Sequence, residues 1–254
     1  MALFGLFGSK EEREQNALKK LSRKVTEKFG PPENRQKAID QLRDLGTPEA
    51  LGTLCLRFTV RAEPGITDDE EKETVHRALV EAGAEAVLPV QRFIREQEEG
   101  IAWGLRVLAE LVPPDRSLDV AMKELARLSG EYSRDPEKKL TLLTWVTEHH
   151  ADAHQAGLDQ ALLPLLEDFS DDVRIGATRA LAAMAPSEAV REGLIQLLLR
   201  DSENARVRGE VLEALVRLGA DVKGYRPSVE ALLVEPFYLD REGQVKRRGS
   251  TGSP

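Results

Sequence analysis

The stretch 162-LLPLLEDFSDDVRIGATRAL-181 decides the fold of this chain. Its second half places Ala177 and Leu181, with Met184 just beyond, at the i, i+4, i+7 spacing of one buried helix face. The same spacing returns along the chain, at intervals of roughly 30 to 40 residues, in the triplets Ala38/Leu42/Leu45, Val75/Leu79/Ala82, Gly104/Leu108/Leu111, Leu142/Val146/His149 and Val211/Leu215/Leu218. A repeat of this length holds two helices and cannot bury its core alone, so neighbouring repeats must stack.

Two of the repeats carry a more specific motif. In each, an apolar helix is followed by an aspartate, Asp168 or Asp201, and then by a Val-Arg pair that opens the second helix, Val173-Arg174 or Val207-Arg208. This pattern resembles the HEAT repeat, and Pro164 falls where that family places a proline in its first helix. The resemblance implies an all-α fold, a right-handed α-solenoid of about six HEAT-like helix pairs with a C-terminal helix.

The resemblance also implies a structural role for four of these side chains. Asp168 and Asp201 would lie in turns within their repeats, and Arg174 and Arg208 would hydrogen-bond these aspartates in a ladder between repeats. The preceding repeats depart from the motif, because Lys139 and Ile101 stand near the arginine position.

The domain boundaries follow from where the helical pattern begins and ends. We expect an apolar N-terminal segment at 1–9, a repeat array at 10–234 and a mostly disordered tail at 235–254. Phe4 and Phe7 give the first segment two alternatives: it covers the exposed edge of the first repeat, or it docks on a partner or weakly on a membrane surface.

In HEAT-like stacks the second helices line the concave face. The resemblance therefore implies that a row of charged residues lies on this face. The row contains the arginines Arg77, Arg106 and Arg179, beside the glutamates Glu81, Glu110 and Glu148. They are either solvated i, i+4 pairs, such as Arg77–Glu81 and Arg106–Glu110, or a mixed-charge groove for a protein segment.

The two tryptophans, Trp103 and Trp145, each lie one residue before a buried anchor on successive second helices. Tryptophan is enriched at the energetic centres of protein interfaces, and it also fills cores. The sequence leaves both alternatives open for this pair.

Composition excludes several functional classes. The net charge of −8 argues against duplex nucleic acid as the main partner. The single cysteine, Cys55, lies in an apolar run, which indicates a buried thiol and a reducing, cytoplasmic compartment. No stretch is long and apolar enough to span a bilayer.

No catalytic, metal or cofactor motif stands out. His149, His150 and His154 cluster where a turn is expected, and neither an HExxH motif nor a phosphate-binding loop is present. We therefore predict no enzyme activity, cofactor or metal, and a cytoplasmic scaffold or adaptor that holds an unidentified protein partner on its concave face. The alternatives are proteins resembling HEAT-like bilin lyases or HEAT-like nucleic-acid binders.

Overall fold

The computed structural model describes residues 10–152 and 157–249 of the chain. The chain divides into two compact units, Met1–Ser117 (the N-terminal unit) and Leu118–Pro254 (the C-terminal unit). The predicted all-α class is confirmed, since helices make up 71% of the chain. The predicted segment 1–9, with Phe4 and Phe7, lies outside the described residues.

The helices of the N-terminal unit form pairs joined by short turns. Their bounds are α1 Lys10–Val25, α2 Pro32–Leu45, α3 Pro48–Cys55 with a 3-10 helix at Leu56–Thr59, α4 Gly65–Glu81, α5 Ala84–Glu96 and α6 Ile101–Leu111. The first helices α1, α3 and α5 contact one another in sequence, and so do the second helices α2, α4 and α6. This two-layer stacking of like helices is the arrangement expected of a helical-repeat protein.

The C-terminal unit continues the alternation, and the division between the units falls within α7. The bounds are α7 Pro114–Leu128, α8 Glu137–His149 with a 3-10 helix at His150–Asp152, α9 Leu158–Leu162 with a 3-10 helix at Leu163–Glu167, α10 Asp171–Ala183, α11 Glu188–Arg200, α12 Ala205–Leu218 and α13 Arg226–Glu230. Here α8 contacts α10 and α10 contacts α12, so the second helices again form one layer.

The periodic anchors lie on the second helices, α2, α4, α6, α8, α10 and α12, as the spacing predicts. In every triplet the first two anchors are buried, for example Leu42, Leu79 and Leu181 at 0% exposure. The third anchor is less buried, and Leu45 is 52% exposed. The third position falls in the last turn of its helix or just after it, where the next layer covers less of the surface.

The C-terminal tail differs from the expected disorder. Strands β1 Phe237–Leu239 and β2 Val245–Arg247 form an antiparallel hairpin, and β2 packs against α12. Val245 is fully buried, and Arg247 pairs with Glu213 of α12 at 3.0 Å. Burial of an apolar side chain and an ion pair to the last second helix therefore hold a segment whose sequence lacks helical periodicity.

Candidate interaction surface

An open groove crosses the second helices of the C-terminal unit. We call it the α8–α12 groove; its volume is about 660 Å³. It is lined by Leu140, Leu143, Thr144, Thr147 and Glu148 of α8, by Asp172, Ile175, Gly176 and Arg179 of α10, and by Arg206 and Glu210 of α12. Within each helix these residues are three or four positions apart, so they share one face. Of the predicted charged row, Arg179 and Glu148 lie in this groove.

The floor of the groove is apolar. Leu143 and Ile175 are buried beneath it, and Leu140 is half-buried. Gly176 lets α10 approach α8 closely, because a Cβ atom there would lie 3.1 Å from Cδ1 of Leu143. A side chain that enters the groove therefore meets aliphatic carbon between two charged rims.

Two ion pairs between α10 and α12 fix those rims. Arg179 donates to Oε2 of Glu210 at 2.6 Å, and Arg206 donates to Oδ1 of Asp172 at 2.5 Å. The hydrogen bond with Glu210 raises the pKa of the Arg179 guanidinium above its ordinary value. Glu148 makes no ion pair with any residue that the structure describes. Its carboxylate is therefore the uncompensated charge of the groove.

In the N-terminal unit, the predicted residues lie on α4 and α6, and their pairing differs from the i, i+4 pattern. Arg106 reaches from α6 to Glu73 of α4, with Nη2 3.2 Å from Oε1. Glu110 lies 3.1 Å from Nε2 of the buried His76 on α4. The helices of this layer are close enough for long side chains to pair across it rather than along one helix.

Arg77 and Glu81 remain on the exposed side of α4. Arg77 Nε donates weakly to the carbonyl of Glu73 at 3.4 Å, and its Nη2 lies 3.4 Å from the hydroxyl of Thr74. Helical side chains lean toward the N-terminus of their helix, which turns Arg77 away from Glu81. The predicted Arg77–Glu81 ion pair is therefore not formed.

The two tryptophans have different environments. Trp103 is half-buried and stacks on Phe58 with ring centroids 5.5 Å apart, and the guanidinium of Arg106 lies 4.4 Å above its ring. Trp145 is only 9% exposed and stacks on His149 at 3.8 Å. Trp145 is thus a core residue, and only Trp103 retains a surface that a partner can touch.

Gly100 explains how Trp103 reaches Phe58. It stands just before α6 with φ of 73°, and a Cβ atom there would lie 2.3 Å from the carbonyl oxygen of Phe58. Glycine is needed for both the backbone angle and the close approach. The first turn of α6, which begins at Ile101, is thereby held against the 3-10 helix that carries Phe58.

The four predicted ladder residues are placed in two different ways. Arg174 donates to the carbonyl of Asp168 at 2.6 Å, and its Nε lies 2.8 Å from Oδ2 of Asp201 in the next repeat. The carboxylate of Asp168 accepts instead from Lys139 of the preceding repeat, at 2.6 Å. Arg208 donates to the carbonyl of Ser202, and its expected pairing with Asp201 is absent from the described residues.

Sequence reasoning missed a cluster of buried charges in the N-terminal unit. Glu71 of α4 accepts hydrogen bonds from Arg35 of α2 and from Arg57, each at 2.8 Å. Asp68 accepts from Arg57 and Lys72, at 2.5 and 2.7 Å. A possible signal was Arg57 within the apolar run 54–58, since an arginine there must find acceptors if it is buried.

This cluster changes the titration of Asp68. Burial alone would raise the pKa of its carboxyl, but hydrogen bonds from Lys72, the backbone of Ala62 and Arg57 outweigh burial and lower the pKa below its ordinary value. The Asp68 carboxyl is therefore ionised at neutral pH. Nearby, burial raises the pKa of the Cys55 thiol to about 12, as fits the inert cysteine that the sequence predicts.

The histidine cluster forms local backbone contacts. Nδ1 of His149 lies 2.9 Å from the carbonyl of Trp145, and Nδ1 of His150 lies 2.9 Å from that of Thr147; His154 lies outside the described residues. Within 10–152 and 157–249, no group of three or more His, Cys, Asp or Glu residues could hold a metal ion. Across the same ranges, no helix is long and apolar enough to cross a membrane.

Comparison with known protein families gives a match over part of the chain. Residues 160–246 match the family model of HEAT repeats, so the predicted resemblance is confirmed for this part of the chain. The matched part begins in α9 and ends in the hairpin, and so contains both repeats with the Val-Arg motif. No curated protein matches the chain.

The chain is also similar to several solved structures. A designed armadillo repeat protein in complex with the peptide (KR)4 is 18% identical, with a TM-score of 0.41 over 83% of this chain and 95% of that one. A computationally designed armadillo repeat protein for modular peptide recognition is 18% identical, with a TM-score of 0.45 over 82% and 94% of the two chains. An engineered protein is 20% identical, with a TM-score of 0.43 over 89% and 69%.

Proposed function

We propose that this chain is a non-enzymatic interaction scaffold that holds a segment of a protein partner in the α8–α12 groove. The groove itself carries the proposal: it is open, it crosses three second helices, and its apolar floor lies between charged rims. Interfaces commonly combine such an apolar centre with a polar surround. The proposal places the protein in the cytoplasm, in keeping with its single buried cysteine.

Preorganisation supports binding at this groove. The rim arginines Arg179 and Arg206 are held by carboxylates of a neighbouring helix, so fewer rotamers are lost when a partner arrives. The floor residues belong to the packed core and are already fixed. A partner segment then gains hydrophobic contact while only its own chain is ordered.

The surface of the N-terminal unit around Trp103 is a second proposed contact region. Trp103 and Arg106 stack there, with Arg77, Glu81 and Glu110 on the same two helices. A half-buried tryptophan beneath an exposed arginine offers both apolar area and charge to a partner. This region and the α8–α12 groove are tested separately, since they belong to different units.

Selection of peptides from a random 12-residue display library tests the groove. The full chain is the target, and the recovered peptides are then measured on two variants. Thr144→Trp fills the groove from the exposed face of α8, while Lys123→Trp adds the same side chain to α7, outside the groove, at a position that is 74% exposed. Circular dichroism verifies that both variants fold.

We expect peptides that bind the original chain and Lys123→Trp equally, and that bind Thr144→Trp at least about 10-fold more weakly, as for loss of a central contact. If every recovered peptide binds the two variants alike, the α8–α12 groove is not the binding site and the proposal is wrong.

A further inference from the structure

The charges of the α8–α12 groove do not cancel. Arg179 and Arg206 are each bonded to a carboxylate of the opposite helix, Glu210 and Asp172. The remaining ionisable side chain in the lining is Glu148, which makes no ion pair with a described residue. The lining therefore carries three carboxylates against two guanidinium groups, a net charge of −1.

The backbone adds to this negative charge. Glu148 lies in the last turn of α8, which ends at His149. The C-terminal end of a helix carries a partial negative charge from its unpaired carbonyl groups, and cations are stabilised there. The two histidine rings that follow direct Nδ1 at backbone carbonyls of Trp145 and Thr147.

Apolar contact lies within reach of this carboxylate. Thr144 is one turn before Glu148 on the same face of α8, and Leu140 is one turn earlier still. A residue that pairs with Glu148 can therefore have a neighbour over the aliphatic floor. The distance between the Glu148 carboxylate and the apolar floor suits a short peptide segment, which can contact both, rather than a single ion.

An acidic segment fits the groove poorly. To bond Arg179 or Arg206 it must displace Glu210 or Asp172, which are already in place at 2.6 and 2.5 Å. It also meets the free carboxylate of Glu148, and like charges in contact are strongly disfavoured at interfaces.

We infer that the α8–α12 groove selects peptide segments in which a lysine or arginine, paired with Glu148, stands beside an apolar side chain that covers Leu140 and Ile175. This inference rests on the proposed function, because it assigns the chemistry of the partner that the groove holds. The inference specifies the sign of the partner's charge and its position beside the partner's apolar side chain.

The peptides recovered by display give the first test. Those whose binding depends on the groove, by the Thr144→Trp and Lys123→Trp comparison, are expected to be enriched in lysine or arginine next to Leu, Ile, Val, Phe or Met. Enrichment in Asp or Glu, or no charge preference among groove-dependent peptides, overturns the inference and leaves the proposed function standing. Absence of groove-dependent peptides overturns the proposed function itself.

A charge exchange gives the second test. One groove-dependent peptide is labelled with fluorescein and titrated by anisotropy against Glu148→Gln, Glu148→Lys and the control Glu137→Lys, an exposed site at the opposite end of α8. We expect Glu148→Gln to weaken binding about 3-fold, Glu148→Lys to weaken it at least about 10-fold, and Glu137→Lys to change it less than about 2-fold.

Replacing the basic residue of that peptide by glutamate reverses the order. The exchanged peptide is expected to bind Glu148→Lys more tightly than it binds the original chain, which only direct pairing at position 148 produces. For each peptide, the affinity for Glu148→Lys is divided by the affinity for the original chain. If this ratio is the same for the basic and the exchanged peptide, Glu148 does not select the charge and the inference is wrong.

Discussion

One ion pair in each unit, Arg35–Glu71 and Arg174–Asp201, joins consecutive repeats in the same way but is buried to a different depth. In the N-terminal unit, Arg35 of α2 reaches Glu71 of α4, and their side chains are 0% and 4% exposed. In the C-terminal unit, Arg174 of α10 reaches Asp201 in the following turn, and both side chains are 13% exposed. A basic residue near the start of one second helix thus meets an acid of the next repeat in both.

The acid stands in a different place in each unit. Asp168 and Asp201 directly follow the first helix of their repeat. Water reaches part of the Arg174–Asp201 pair, whereas the Lys139–Asp168 pair is buried. Glu71 lies within α4, and it must satisfy Arg57 as well as Arg35. Lys139 takes the basic position in the fourth repeat and pairs with Asp168, which shows that the geometry accepts lysine. At these three junctions the residue types vary while an ion pair between the repeats is kept.

The largest expected effect comes from removing the shared acid of the N-terminal unit. Glu71→Ala leaves Arg35 and Arg57 buried with fewer acceptors, and we expect it to lower the free energy of unfolding by about 3–5 kcal/mol. Urea unfolding followed by circular dichroism measures the loss. The neighbouring Glu70→Ala, at an exposed site on the same helix, is expected to cost less than about 0.5 kcal/mol.

Chemical labelling of the Cys55 thiol shows whether this loss of stability occurs in the N-terminal unit. Cys55 is the single cysteine, it is fully buried in α3, and its thiol reacts only when the surrounding structure opens. Glu71→Ala should raise the rate of thiol labelling under native conditions well above that of the original chain. A loss of stability below about 1 kcal/mol, with unchanged labelling, would show that the buried cluster does not hold this unit together.

A smaller effect is expected from the partly exposed pairing of the C-terminal unit. Arg174→Ala removes bonds to the Asp168 carbonyl and to Asp171 as well as the pair with Asp201, and should cost about 1–3 kcal/mol, as for charged hydrogen bonds. Urea unfolding is again the measurement. Cys55 labelling should stay unchanged, because these contacts lie within the other unit.

Arg206→Ala is the matched control for this change. It breaks a pair with Asp172 of similar length, but Arg206 is 67% exposed, so the cost should stay below about 1 kcal/mol. If Arg174→Ala and Arg206→Ala lower the free energy of unfolding equally, the Arg174–Asp201 pairing between repeats does not contribute specially to stability.

The smallest change in stability is expected at the surface of the N-terminal unit. Arg106→Glu breaks an exposed pair with Glu73 and the contact with Trp103, together worth about 1 kcal/mol at most. If the surface around Trp103 binds a partner as proposed, this variant loses capture of that partner while its thermal unfolding hardly moves. Arg92→Glu, on the exposed face of α5, should retain capture. A large drop in melting temperature would instead assign Arg106 to the structure of its unit.

Helix pairing could be predicted because it depends on local periodicity. Leu142 and Val146, or Val211 and Leu215, recur every fourth residue whatever the neighbouring repeat contains, and all four are buried. The breaks were equally visible, since Gly46 takes φ of 58° at the end of α2 and Pro48 opens α3. Both signals act within a few residues of the chain.

The candidate site could be predicted only in part. Arg179 was correctly placed on a second helix, but its partner Glu210 stands on another repeat, 31 residues away. Trp103 and Trp145 have similar positions relative to their anchors, and only packing against Phe58 or His149 separates the half-buried ring from the buried one. Nothing in the local sequence encodes which neighbour each ring meets.

The sequence by itself determined the all-α class, the positions of the second helices and the buried face of each, because apolar spacing of 3.6 residues per turn leaves one stable orientation. The tertiary structure alone decided which charges pair. Lys139 pairs with Asp168, and Arg35 and Arg57 pair with Glu71. The ion pairs at the rims of the α8–α12 groove were decided in the same way. The tertiary structure also decided that the tail forms a hairpin against α12. These pairings join side chains 14 to 36 residues apart in the sequence, and periodicity carries no information about which of them meet.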